Sequence, residues 1–167
     1  NDCDNNGADA EPGRFQWVTA ITVSGIAYTD EGTTPLANSL GAIKLVNSTT
    51  GATFSDANGT DASGNWSITG VTGPTNGDDL TIWIDGAAAD GTLVLQYGAG
   101  CTGGNCTGLH LYQNRVIIRN EHTVNVANAD LAGCDSDSGT NCIDPEIGFT
   151  SNAGALTVDN TRELHIW

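Results

Sequence analysis

Between Ile21 and Val71 the chain sets four short apolar runs at close, regular spacing, each separated from the next by turn-forming residues. Ile21 and Val23, then Ile26 and Tyr28 beyond Ser24-Gly25, alternate with other residues at the period of two that a half-buried strand requires. Gly25 interrupts this alternation and predicts a bulge or a close backbone approach. Residues 42–46 form the second run, with Ile43 and Leu45 on one face and Lys44 on the other. Residues 52–54 form the third. Asp61-Ala62-Ser63-Gly64-Asn65 then leads directly into the fourth run, where Trp66, Ile68 and Val71 supply an apolar face. Aspartate and glycine at such turns accept the left-handed backbone that tight connections need. Residues 80–84 alternate in the same way, and no window carries the i, i+3, i+4, i+7 recurrence of a long amphipathic helix. The expected fold class is all-β: an antiparallel β-sandwich of Ig-like or prealbumin-like type, as one body or two small units.

The later part of the chain is less regular. Strands are expected at 93–97, around Leu109 and Leu111, and at Val116-Ile117-Ile118 beyond Tyr112-Gln113-Asn114-Arg115. Val124 and Val126 alternate ahead of an Asn/Asp-rich turn. Residues 147–150 and 155–158 flank a turn at 151–154, and Leu164-His165-Ile166-Trp167 follows. Three regions result: an acidic arm 1–16, a sandwich 17–98 and a second β-rich half or domain 99–167. The Gly-rich stretch between Tyr97 and Gly108 suits a boundary, and equally suits one long loop inside a single sandwich.

The elements Gly25, Pro35-Leu36 and Thr60-Asp61-Ala62-Ser63-Gly64-Asn65-Trp66 resemble the carboxypeptidase-regulatory-like and Cna-B-like sandwiches of secreted and surface proteins. The resemblance covers about residues 20–97 and implies a spacer, stalk or accessory module without catalytic residues. Residues 155–167 are similar to repeat strands of very large bacterial surface proteins. Cna-B-like modules can carry a Lys-to-Asn isopeptide bond promoted by a buried carboxylate. Lys44 and Asn160 are the residues this would involve, but Lys44 lies on the second strand, where the family pattern has its lysine on the first.

Lys and Arg total 5 against 20 Asp and Glu, a net charge of −15. Phosphate backbones need a basic surface, so nucleic-acid binding is excluded as an expectation, and anionic membrane surfaces are disfavoured by the same repulsion. No apolar run has the length needed to span a bilayer, so no membrane insertion is expected. With no methionine in the chain, Asn1 is expected to follow a removed export signal or a boundary within a longer protein. Five cysteines extend this reading. Cys101 and Cys106 enclose a short Gly-containing loop, as do Cys134 and Cys142, and an exported chain is expected to close each pair as a disulfide. A four-thiolate zinc site competes, but neither pair has C-x-x-C spacing. Cys3 is left to join another chain, pair otherwise or stay free.

Oxygen ligands for calcium are offered twice. Asp2, Asp4, Asn6, Gly7, Asp9 and Glu11 open like a calcium loop, though the later acidic spacing departs from the EF-hand. Asp135, Asp137 and Asp144, with Asn141, form the second set; an acidic solvated loop is the alternative for both. His110, His122 and His165 are scattered, and neither H-E-x-x-H nor G-x-S-x-G occurs, so no enzymatic activity is expected. Trp17, Trp66, Trp83 and Trp167 suit either a core or a sugar-stacking platform. Sequons at Asn47, Asn58, Asn65 and Asn105 permit glycosylation. The expectation is a non-enzymatic building block of an extracellular or cell-surface assembly, self-associating through terminal strands. The rival is a carbohydrate- or protein-binding accessory module of a larger secreted protein.

Overall fold

The computed structural model describes residues 20–38, 41–86, 90–152 and 154–167. The acidic arm 1–16, with Cys3 and the ligand set from Asp2 to Glu11, lies outside the described residues, as does Trp17. The described chain is an all-β sandwich. In its smaller sheet, β1 (Ile21–Tyr28) lies between β4 (Asn65–Val71) and β7 (Cys106–Tyr112). It runs antiparallel to β4 and parallel to β7.

The larger sheet has six strands. Its members are β2 (Ala42–Asn47), β3 (Thr53–Asp56), β5 (Asp79–Asp85), β6 (Thr92–Gln96), β8 (Arg115–Asn120) and β13 (Glu163–Ile166). They are ordered β13-β8-β6-β5-β2-β3, with β8 parallel to both β6 and β13. The sheets are therefore mixed, and strands from either side of residue 98 pair within each of them: β1 with β7, and β6 with β8.

Gly25 accounts for the close approach expected of it. A Cβ there would stand 1.7 Å from the Leu109 carbonyl oxygen, so any larger residue drives β7 away from β1. The β1–β7 register also shifts between Val23 and Gly25. The alternation nevertheless continues in phase across the glycine. Ile21, Val23 and Ala27 enter the core, whereas Ile26 and Tyr28, expected to carry on the apolar face, point the other way and are only partly buried. Gly64 holds the hairpin before β4 with φ 78°, where a Cβ would meet the Ala27 carbonyl oxygen at 2.6 Å.

Two apolar cores result. Ile43, Leu45, Leu80, Ile82, Leu93 and Leu95 meet Val23, Trp66, Ile68, Leu109 and Leu111 between the sheets. On the outer face of the larger sheet, Val46, Trp83, Val94, Val116 and Ile118 are covered by Leu131, Cys134, Ile147 and Phe149. The cover is built from a one-turn helix α1 (Asn128–Leu131), the two-residue strands β9 (Cys134–Asp135) and β10 (Cys142–Ile143), and the hairpin β11 (Phe149–Asn152) and β12 (Ala155–Val158). Strands β5 and β6 are consequently buried on both faces, which explains their nearly unbroken apolar character.

The turn at 112–115 carries the chain from the smaller sheet to the larger one, with Asn114 left-handed at φ 57°. The strand expected at Val124 and Val126 is absent. The Asn120 amide donates to the Val124 carbonyl oxygen at 2.6 Å, and its Oδ1 accepts from the His122 N–H at 2.7 Å. This side chain claims backbone groups that a ladder would use, and Val124 is left exposed.

Candidate functional site

Cys101 is bonded to Cys106 and Cys134 to Cys142, the two pairs expected from the loops they enclose. The first closes the Gly-rich loop ahead of β7, where Tyr97 Oη donates to the Gly104 carbonyl oxygen at 3.1 Å. The second lies in the cover of the outer core, where Cys134 is fully buried. Two disulfides mark an oxidising environment. Among the described residues no helix is long and apolar enough to cross a membrane.

Asp135 is fully buried inside the second loop. Its Oδ1 accepts from the backbone N–H groups of Asp137 at 3.1 Å and Ser138 at 2.7 Å, and its Oδ2 from that of Ser151 at 3.0 Å. Burial pushes this carboxyl up, but the amide donors from Ser151, Ser138 and Asp137 outweigh it and hold the group below its ordinary value. Asp135 thus organises the loop with oxygens a metal would need. Asp137 is exposed. Asp144 turns elsewhere, because its Oδ1 caps the short helical turn Pro145–Ile147 by accepting from the Glu146 N–H at 3.1 Å. The structure does not gather Asp135, Asp137 and Asp144 into one cluster among the described residues; Asp144 instead joins Asp85 and Glu146, all within 4.8 Å of one another.

Lys44, the only lysine in the sequence, serves this carboxylate group. Its Nζ is 2.8 Å from Asp85 Oδ1, 3.6 Å from Asp144 Oδ2 and 5.8 Å from the centre of the Trp83 ring. The hydrogen bond to Asp85 raises the lysine. Burial and the neighbouring Asp85 and Asp144 push Glu146 up. Lys44 thus has carboxylate partners, and Asn160 is not among them. Beside it lies an open groove of about 380 Å³, walled by Phe54, Trp83 and Ile143. Asp85, Glu146 and the groove carried no signal in the sequence, since they converge from β2, β3, β5, β10 and the turn after it.

The second feature is the β13 edge. β13 pairs with β8 inside its own sheet, and no described strand pairs with its other side. Arg115 fastens it, with Nε 3.0 Å from Glu163 and Nη2 3.4 Å from Glu31. His165 Nε2 lies 3.7 Å from Glu31, so Glu31, Glu163 and His165 cluster around a cation the protein already supplies. Tyr28, His110, Tyr112, His165 and Trp167 form a chain of ring contacts, with centroids between 5.3 and 6.2 Å apart. Burial and then Arg119 lower His110. The large apolar side chains exposed among the described residues are Val124, Ile143, Leu164, Ile166 and Trp167, and the last three belong to this one edge.

Trp66 and Trp83 are 3% and 2% exposed and belong to the cores, so they form no sugar-stacking platform; Trp167 is exposed. His110 Nδ1 is 3.1 Å from Tyr112 Oη, and His122 Nδ1 accepts from the Val124 N–H at 3.3 Å. No serine or cysteine is hydrogen-bonded to any of the three histidines among the described residues.

These features define a disulfide-closed all-β sandwich with a third, irregular layer. No family model matches the chain, and neither a curated protein nor a solved structure matches it.

Proposed function

We propose that the chain is a non-enzymatic structural unit of an extracellular or cell-surface assembly (a fibre, pilus-like filament or adhesin stalk) whose copies join through the β13 edge. The observation that carries this reading is the coincidence, on one outermost strand, of an unpaired backbone edge with exposed Leu164, Ile166 and Trp167. Such an edge is a template for another strand, and strand addition supplies main-chain hydrogen bonds with side-chain contacts for specificity. The sheet's other edge is β3, so joining unlike edges is a head-to-tail contact, which propagates as a filament when the rotation between copies does not close a ring. The disulfides suit export with removal of a signal, and the hairpin ahead of Trp66 suits a Cna-B-like or carboxypeptidase-regulatory-like module.

Electron microscopy with sedimentation of the native chain tests this. Ordered filaments or oligomers that Ile166→Lys disperses are the expected result. A monomer at all concentrations, unchanged by that substitution, overturns it. The second reading, a carbohydrate- or protein-binding accessory module, is favoured by the open groove beside Lys44, with Phe54 and the exposed Ile143 along its walls. A dispersed monomer that binds a glycan array, and loses binding on Phe54→Ala, would establish that alternative.

A further inference from the structure

Strand directions in the larger sheet leave its two edges in a defined relation. β13, β8 and β6 run one way, and each step from β6 through β5 and β2 to β3 reverses direction. β3 is therefore antiparallel to β13, and each is four residues long. Their faces correspond as well. Leu164 and Ile166 lie beside Val116 and Ile118 on the outer face, and Thr53 lies there beside Val46, with Ser55 beside Lys44. The irregular layer covers neither end of this face: Leu164 and Ile166 are exposed at one, and Thr53, Ser55 and the 60% exposed Ile143 at the other. On the inner face β13 carries His165, with Arg115 on the neighbouring strand, and β3 carries Asp56. Asp56 accepts from the Asn58 and Ser67 N–H groups at 3.0 and 3.3 Å and has no cation partner among the described residues.

The geometry points to β3 as the receiving surface for a second copy of this chain: β13 of one copy adds antiparallel to β3 of the next, with Ile166 opposite Ser55 and His165 opposite Asp56. This rests on the reading of β13 as an assembly edge and names the surface that receives it. A copy moved sideways along the sheet, without being turned over, meets its neighbour in this sense, so the hydrogen-bonded ladder continues from one sheet into the next. Opposed residues share a face, and a slip by one residue would turn Leu164 and Ile166 away from the bare outer face. The register sets His165, with Arg115 nearby, against the unpaired Asp56 carboxylate, which is the charge complementarity that selects a partner. It also sets Trp167 against Phe54. Pairing β13 with β13 would leave Ile143 bare. Pairing β3 with β3 would leave Leu164, Ile166 and Trp167 bare and bring one acidic flank to another.

The test uses two variants of the full chain, both with Cys3→Ser: one carries Ile166→Cys, the other Ser55→Cys. Sedimentation in reducing buffer establishes that each still associates, and the two are then oxidised alone and mixed. The expected product is a cross-linked dimer that forms only in the mixture, since directly opposed side chains are close enough to bridge. Ile143→Lys, at an exposed position, is expected to weaken association about tenfold, as loss of an apolar contact at an interface does, and to leave the melting temperature unchanged. Ile166→Cys chains that cross-link to one another, or oligomers that give no cross-link in the mixture, overturn this inference and leave assembly through β13 to its own test with Ile166→Lys. Association undisturbed by Ile143→Lys overturns it too. A monomer at all concentrations overturns both readings.

Discussion

The Cα of Gly25 faces the carbonyl of Leu109 so closely that a Cβ would stand 1.7 Å from its oxygen. β1 and β7 meet at this point, so the smaller sheet depends on a missing side chain. Gly25→Ala is expected to destabilise the chain by about 2 kcal/mol or more, as a steric insertion into packed structure does. Urea unfolding would measure it; a loss below about 0.5 kcal/mol, the usual size of a neutral surface change, would mean the strands can part without cost.

Asp79 sets a pH dependence. Burial first, then Asp130, raises its carboxyl from 3.8 to about 6. Between those values the native state holds a proton that the unfolded chain has released, so stability attributable to this group falls as pH rises. Above about 6 both states are ionised and the full penalty remains. Asp79→Asn should therefore be more stable than the parent at pH 7, with the difference shrinking toward pH 4. Melting curves across that interval check the sign.

Lys44 contributes in the opposite sense. Burial raises Asp85, but its contacts with Lys44 and Glu146 outweigh that effect and hold it below 3.8. Its share of stability is present above that value and is lost as pH falls through the lower folded one. Lys44 is 40% exposed, so Lys44→Met should cost no more than about 1 kcal/mol at neutral pH, as for surface ion pairs. The cost should shrink in acid. A double-mutant cycle with Asp85→Asn isolates the pair; zero coupling at pH 7 would count against it.

The disulfide Cys134–Cys142 ties the outer layer. Loop-closure entropy assigns a short bridge of this kind about 2–3 kcal/mol. Cys134→Ser with Cys142→Ser should lower stability by that amount and expose Trp83 to quencher before Trp66. Simultaneous exposure of both indoles would show that the layers unfold as one.

A chain cut after residue 98 lacks Leu109, Leu111 and Ile117 of the inner core. It is expected to show no cooperative thermal transition. A sharp melt of the fragment would mean that the earlier strands suffice alone.

The strands of the inner core were legible because their alternation is local: Ile43 and Leu45, or Trp66 and Ile68, declare their face within a few residues. Val71 belongs to the same face because the β1–β4 register slips between Ile21 and Val23. The outer core was not legible. Val46, Trp83 and Val94 are covered by Leu131, Ile147 and Phe149, and nothing near either set in sequence announces the other. Val124 and Val126 alternate like a strand, but Asn120 captures the local backbone first. The cysteine pairs were readable from their short loops. The carboxylates were not, since abundance of aspartate says nothing about which ones face backbone amides, as Asp135 does, and which face Lys44.

Parallel pairing of β1 with β7 also governs when folding can begin. The Thr22 N–H reaches Asn105 Oδ1 across 83 positions of sequence, so the smaller sheet waits for a distant part of the chain. Contacts of such separation form slowly, because loop entropy is spent before they reward it. The early strands therefore have no finished partner until β7 has been made.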